Sequence, residues 1–567
     1  MQAVKTAIAK SIFECYPNAF SSCDEIEALF DQTPDLKLGD FTLACFKLAK
    51  TLRNAPPRIA DELKTKLEGK INALSRIESV NGYLNFFLSD SYKLDMIRQL
   101  VQAGEEYGKN TDGEGKTMCI DYSSPNIAKP FHIGHLGTTV IGNSIKRLFA
   151  FSGYRCVGIN HLGDWGTQFG KLIVAYKLWG DKEKIKQDGV NELARIYKLY
   201  YDEAQKDPTL DDRGREEFAK LEQGDEENLA IWQWFKDISL DGKFMNVYKL
   251  LGIEFESYAG ESFYNDKMDA VVQELKDKNL LVESDGAMVV DLEEYSMPPC
   301  IVLKKDGSTI YATRDISAAL YRKKTYDFDE CIYVTDAGQS LHFRQVFKVL
   351  GLMGYDWSDK LVHVPYGKIS INGQKLATRT GNVVLLEELF ADAVSRVRKI
   401  IEEKSPDREN KDEIAKSVGI GAVVFNQLSA GRIKDVNFVW EEALNFDGNT
   451  GPYAQYTFAR TCSVLEKAGE ISEIANDYNL CDNEKALLDV LTRFPAKVRQ
   501  ARLDYEPSTI TRYILDVCQA FNRFYHDCPI LKADENAKAV RVTLCRITRN
   551  VLFNALWLIG LERPEKV

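Results

Sequence analysis

Hydrophobic residues along this chain alternate between two rhythms. Met118-Cys119-Ile120 is a short apolar run of the kind that makes a buried strand. Ser123-Ser124-Pro125-Asn126 cannot continue it. From Leu136 the spacing becomes helical, with Val140, Ile141, Ile145, Leu148 and Phe149 three and four residues apart. After Gly153, residues 155–159 read as a second strand. Strand, loop, helix, strand is one βαβ unit, and its loop lies at the carboxyl edge of a parallel sheet.

The flanking segments follow other patterns. Residues 4–16 and 41–52 read as helices, followed by 61–74 and a strand over 80–87. The polar, glycine-rich stretch 108–115 reads as a linker. An α+β module outside the central sheet is therefore expected over 1–112. Residues 182–227 are rich in Lys, Asp and Glu and poor in strand formers, so a helical insertion is expected near 180–295. A second half-sheet is expected from Cys300. It comprises a strand at 301–303, a hairpin at Asp306-Gly307, a return strand at 309–312, a helix over 316–323 and strands at 330–335 and 362–364. From Leu385 nearly everything is helical, with helices over 391–403, 413–428, 454–468, 484–501, 507–525 and 536–559. The expected domains are 1–112, 113–384, a helical linker over 385–445 and a bundle over 446–567.

Composition narrows the class. With 567 residues, 45% hydrophobic and 28% charged, the chain is a multidomain globular protein. No apolar run approaches the length of a spanning helix, and the N-terminus reads as a helix without a signal-peptide core. The twelve cysteines include no CxxC pair, which supports neither a zinc ribbon nor a disulfide framework and fits a reducing, cytoplasmic setting. A net charge of −11 argues against nucleic acid as a partner. Residues 491–550, however, carry eleven Lys/Arg against six Asp/Glu, a local +5. A basic face can act locally because salt screens distant charges; a solvated helix face is the plainer account.

The candidate chemistry sits in the βαβ loop. His132 and His135 fall on one face of the first helical turn, Gly134 between them leaves room for a ligand, and Lys129 precedes them. Two imidazoles, a lysine and a helix N-terminus suit a phosphoryl group gaining charge. Two surface histidines at a helix start would give the same four letters. His161, at the end of the next strand in Asn160-His161-Leu162-Gly163-Asp164-Trp165-Gly166, brings a third histidine to the same edge.

The run SSPNIAKPFHIGHL followed by NHLGDWGTQFGKL resembles the arginyl-tRNA synthetases of class I, and the resemblance extends to the C-terminus. It implies a Rossmann-type α/β catalytic domain, an α+β N-terminal domain contacting the tRNA D-loop, and an all-α anticodon-binding bundle. It implies arginine activation by ATP with Mg2+, release of pyrophosphate, and transfer to the terminal adenosine of arginine tRNA, with tRNA needed for the activation step. It implies a cytoplasmic monomer with no structural metal. By resemblance His132, His135 and Lys129 are catalytic, and His132, Gly134, His135, Lys375 and Arg379 contact ATP. Asp121, Asn126, Glu261, Tyr311, Asp315 and Gln339 hold arginine. Asn81, Tyr83 and Asn85, alternating along one strand, would contact tRNA, as would Asn522, Tyr525 and the C-terminal Lys566-Val567. Core packing is the plainer reading for Phe521 and Phe524.

The chain departs from the family pattern twice. Gly373-Gln374-Lys375-Leu376-Ala377-Thr378-Arg379 lacks the second lysine of the KMSKS-like loop, a place Lys129 would fill. Gly137-Thr138 stands where relatives have Arg-Ser. A planar guanidinium calls for carboxylates in fork geometry, and such a pocket rejects neutral amino acids without an editing domain. A small nucleotidyltransferase would not need the flanking domains, a cysteinyl enzyme would need zinc ligands, and a non-catalytic tRNA-binding paralogue would not need the intact HxGH run.

Overall fold

The computed structural model describes residues 1–375 and 384–567, except the side chains of Lys243, Gln374 and Lys375. The N-terminal module holds α1 (Gln2–Cys15), β1 (Phe30–Asp31), β2 (Phe41–Ala44), α2 (Pro56–Leu67), β3 (Leu74–Val80) and β4 (Tyr83–Leu88). Its strands form an antiparallel sheet in the order β1-β2-β4-β3. Three expectations are corrected here. Residues 41–52 are not one helix: 41–44 pair with β4, burying Phe41 and Leu43 and stacking Phe41 on Phe86 at 5.1 Å. Cross-strand packing overrides the local helical rhythm. Residues 61–74 are likewise split between the end of α2 and the start of β3. Residues 80–87 are a hairpin rather than one strand, because Asn81 and Gly82 take φ values of 51° and 84°, the turn that matches strand twist.

After α3 (Asp90–Ala103), the unit β5 (Thr117–Asp121), α4 (Leu136–Phe151) and β6 (Arg155–Ile159) forms as the sequence indicates. α5 (Thr167–Trp179) and further helices follow as far as Leu251. β7 (Leu281–Ser284), β8 (Ala287–Val290) and β9 (Cys300–Leu303) make a separate antiparallel sheet. The expected start of the second half-sheet at Cys300 is therefore corrected. β9 alternates buried and exposed residues, which suits a sheet with one wet face, whereas β5 is buried throughout. The return strand over 309–312 reduces to a single bridge between Leu303 and Thr309, and α6 (Tyr311–Tyr326) already begins at Tyr311. β10 (Glu330–Asp336), α7 (Ser340–Leu352) and β11 (Leu361–Tyr366) complete the second half.

The central sheet is parallel, in the order β11-β10-β5-β6. The chain winds outward from β5 in one direction and from β10 in the other. The crevice beyond their carboxyl ends is where ligands bind in open α/β sheets.

β12 (Ile369–Ile371), β13 (Gln374–Lys375), α8 (Leu386–Lys404), α9 (Lys411–Ser429) and β14 (Val436–Phe438) follow, and β14 pairs with β12 inside the stretch expected to be all helix. The bundle consists of α10 (Gly451–Ala468), α11 (Asp482–Thr492), α12 (Phe494–Leu503), α13 (Ser508–Asp527) and α14 (Glu535–Leu558). The single helix expected over 484–501 breaks at Pro495, which has no N–H to continue the ladder. Phe521 and Phe524 are fully buried, as core packing requires. α14 docks on α4: Ser144 Oγ donates to the Leu558 carbonyl and Arg147 Nη1 to that of Trp557, both at 2.8 Å. The sheet and the bundle thus share one apolar core.

α4 can lie close over β5 because Gly142 faces Tyr122, the fully buried residue after that strand. A Cβ at Gly142 would come within 2.3 Å of the Tyr122 side chain. Gly142→Ala should lower stability by about 1–3 kcal/mol through overpacking, measured as a lower denaturant midpoint.

Candidate active site

The carboxyl ends of β5 and β10 open into a cavity of about 750 Å³. Its walls include Asp121, Asn126, Lys129, His135, Glu261, Tyr311, Asp315 and Gln339, all named from the sequence, together with His161. Two loops form one side. Ile127 N–H donates to the Gly163 carbonyl at 3.2 Å and Gly163 N–H to that of Pro125 at 3.1 Å. This ladder is so close that a Cβ at Gly163 would stand 2.0 Å from Asn126 Oδ1. Ser123, Ser124 and Ala128 all take positive φ, at 71°, 46° and 58°, a strain that surrounding bonds must hold in place.

The histidine turn differs in detail from expectation. The His132 ring folds back over its own turn, and Gly134 N–H donates to its Nδ1 at 3.0 Å. A Cβ at Gly134 would lie 2.7 Å from that ring, so the glycine makes room for His132 rather than for a ligand. The two rings stand 4.1 Å apart, and His135 lines the cavity. Burial pushes the His135 imidazole down to about 3, and burial with the Lys129 charge also lowers His132. Both are neutral near pH 7, which leaves the positive charge of this turn to Lys129. Burial lowers the Lys129 ammonium as well.

Each carboxylate has a basic partner within the chain. Asp121 accepts from Ser124 Oγ at 2.8 Å and from Arg322 Nη2 at 2.7 Å; Arg322 is only 1% exposed. Burial acts against the charge of Arg322, but Asp121 together with Tyr333, Tyr264 and Cys331 holds the guanidinium above its ordinary range. Asp121 therefore faces the cavity already paired. Glu261 lies 3.6 Å from Arg314, and burial raises its carboxyl to about 7 despite that arginine. Asp315 is bonded to His342 Nε2 at 2.6 Å.

Sequence reasoning assigned no role to Asp164, although it lies in the quoted NHLGDWG run. It is fully buried and accepts from Ser262 N–H and Oγ, each at 2.8 Å, and from Lys236 Nζ at 2.6 Å. It fixes the turn that carries Glu261, whose own N–H donates to the Leu162 carbonyl at 2.9 Å. Arg322 and His342 were missed for want of any local pattern.

Outside the cavity the outcome is mixed. Tyr83 is exposed and meets the exposed Phe46 edge-on at 5.4 Å, and Asn81 sits in the hairpin turn. Asn85 corrects the expectation of a shared open face: it is buried and accepts from Thr42 Oγ1 at 2.6 Å. The Asn522 amide is bonded to Arg460, Tyr453 and Thr457, while Tyr525 is exposed beside Arg460. Lys566 faces Glu466 at 3.4 Å, and Val567 packs on the Val397–Ile414 cluster. The +5 segment is not a free basic face, since Arg493, Arg499, Arg502, Arg541 and Arg549 form ion pairs with Asp489, Asp112, Glu484 and Glu105. Arg379 and the Lys375 side chain lie outside the described residues.

Comparison with known proteins agrees with this geometry. The family model for the class I tRNA synthetase (R) catalytic domain matches residues 96–440, a DALR anticodon binding domain matches 454–567, and an arginyl tRNA synthetase N terminal domain matches 2–88. The chain belongs to the arginyl-tRNA synthetase family. It is 51% identical to the arginine–tRNA ligase of Alkaliphilus metalliredigens across 96% of each chain. It is 48% identical to that of Clostridioides difficile across the full length of both. The Thermus thermophilus arginyl-tRNA synthetase superposes over all of this chain and 99% of its own, with a TM-score of 0.82 at 25% identity. The Plasmodium falciparum enzyme gives 0.82 at 26% identity, covering all of this chain and 98% of its own.

The raised Glu261 carboxyl links stability to pH. Its folded value of about 7 exceeds the ordinary 4.5, so its contribution is full below 4.5 and is lost as pH rises through 7. Across that window the empty protein should lose roughly 3 kcal/mol at most. Glu261→Gln should flatten the dependence of melting temperature on pH between 5 and 8.

Proposed function

We propose that this cavity is where the arginine–tRNA ligase reaction proceeds, with the roles assigned as follows. The observation that carries the reading is the meeting of Asp121, Glu261 and Asp315 beside Lys129 and His135 in one cavity at the sheet switch point. Glu261 and Asp315 receive the guanidinium of arginine, with Tyr311 and Gln339 at the rim. Asn126 and the paired Asp121 face its α-amino end. The arginine carboxylate attacks the α-phosphate of ATP and pyrophosphate leaves. The terminal adenosine hydroxyl of the tRNA then attacks the adenylate carbonyl, and AMP leaves. No side chain need be the nucleophile; rate comes from positioning and charge stabilisation. Lys129 supplies the cation on the phosphates and His135 a neutral donor, with His132 holding the turn from behind. Mg2+ enters bound to ATP, as part of the substrate.

Arginine tRNA is the macromolecular partner. In this reading exposed Tyr83 and Asn81 meet the D-loop, and Tyr525 with Arg460 meets the anticodon loop. Unstacked bases are read by stacking on such aromatic side chains. Asn522 holds Arg460 in place. The twelve free cysteines favour a reducing, cytoplasmic setting, and the protein acts as a monomer. Activation waits for tRNA.

The deciding measurement is arginine-dependent ATP–pyrophosphate exchange with and without arginine tRNA. Exchange only with tRNA is expected. Exchange without it removes the tRNA requirement, and tight tRNA binding with no exchange in either condition overturns the catalytic reading. His135→Ala should slow exchange by roughly 10²–10³, the usual cost of one lost charge-stabilising donor. His132→Ala should slow it similarly by releasing the turn. Arginine should bind more tightly as pH rises through about 7, where Glu261 ionises, and calorimetry should lose that trend in Glu261→Gln.

A further inference from the structure

The three pocket carboxylates are partnered in three different ways, and the difference selects one of them. Asp121 is tied to the buried guanidinium of Arg322 at 2.7 Å, which cancels its charge. Glu261 has Arg314 at 3.6 Å, a loose cation. Asp315 is bonded to an imidazole at 2.6 Å. A carboxylate only accepts, so the hydrogen in that bond is on His342 Nε2. Burial works to raise the Asp315 carboxyl, but the His342 bond together with the basic groups His342, His161 and Arg322 holds it below its ordinary range. Among the described residues the bond uses only Oδ2; Oδ1 has no hydrogen-bond partner.

The geometry of the bond is rigidly backed. Asp315 lies in the first turns of α6 and His342 in the first turn of α7, so the pair staples two helix starts above the sheet. The His342 ring meets Phe343 edge-on at 5.2 Å, and Phe343 stacks on His363 at 4.9 Å. His363 Nε2 in turn lies 2.9 Å from Thr335 Oγ1 on β10. A carboxylate otherwise rotates easily about its terminal torsion. Here Oδ2 is fixed by the imidazole, and Asp315 lines the cavity.

We propose that His342 is a positioning residue for the guanidinium subsite, holding Oδ2 of Asp315 so that Oδ1 is presented to the substrate. This rests on the reading of Asp315 as an arginine-binding residue, and the test separates the two. The KM for arginine, KM for ATP and kcat are measured in the tRNA-dependent exchange reaction for His342→Leu, His342→Gln, Asp315→Asn and the double variant Asp315→Asn/His342→Leu. His342→Leu should raise the arginine KM about tenfold, the effect of one hydrogen bond to a charged group, with kcat and the ATP KM little changed. His342→Gln, which restores an N–H donor, should recover most of it. In the Asp315→Asn background His342→Leu should add nothing.

An unchanged arginine KM in Asp315→Asn overturns the reading of that residue and the proposal with it. A raised KM in Asp315→Asn with none in His342→Leu overturns the proposal alone. Independent, multiplying effects in the double variant overturn it too. So does a parallel rise in the ATP KM with no recovery in His342→Gln, which would mark a merely structural role.

Discussion

Asp164 is a fully buried carboxylate that holds three distant segments together. It accepts from Ser262 twice and from Lys236 once, while Gly260 packs so close that a Cβ there would come within 2.7 Å of it. A buried charge is tolerated only when its acceptor positions are filled. Filling them brings the insertion helix of Lys236 and the Glu261 turn against the loop after β6. The same loop is laddered to Pro125 and Ile127. The Glu261 turn, the loop before the histidine turn and the insertion are thus mutually fixed around the cavity.

Within that frame, charge sets the division of labour. A pocket for a cation cannot keep several uncompensated carboxylates close together in a dry cavity. Arg322, Arg314 and His342 resolve this to different degrees, by close pairing at 2.7 Å, loose pairing at 3.6 Å and a hydrogen bond from an imidazole at 2.6 Å. Glu261 is raised chiefly by its burial, with Asp164 and Asp315 adding to the effect and Arg314 opposing it. Lys129 and His135 line the same cavity, with the His132 ring 4.1 Å from that of His135. Keeping the two imidazoles neutral adds no further cations beside Lys129.

Much of the active site could be read from the sequence because it lies within motifs. Asp121, Asn126, Lys129 and His135 fall within fifteen residues, and the βαβ unit around them has unambiguous periodicity. Asp315 and Gln339 sit at chain turns next to recognisable elements. What could not be read depends on pairing across sequence. Arg322 looks like one more charged residue on a polar helix until α6 packs on β5 and buries it against Asp121. His342 is an ordinary helix-start histidine until α7 lies beside α6. Asn85 shows the opposite error, since strand alternation placed it on an open face while Thr42 of the neighbouring strand covers it. The error at residues 41–52 has the same cause: pairing with β4 outweighs local helical spacing. The cationic tally over 491–550 overstates the free charge because Asp112, Asp489, Glu484 and Glu105 neutralise arginines that sequence alone leaves open.

The second departure from the family pattern, Gly137-Thr138, now has a physical account. The Thr138 hydroxyl accepts from Ser123 N–H at 3.0 Å and donates to the Val334 carbonyl at 2.7 Å, so it joins the strained loop after β5 to the end of β10. Gly137 lets the Tyr366 ring from β11 close over the helix; a Cβ there would lie 3.0 Å from it. Tyr366 also lines the cavity. The two residues trade a long cation at the helix start for a tight joint between the three strands that carry the site. Lys129 lines the same cavity. Its half-buried position beside His135 gives its charge more effect there than an exposed lysine would have.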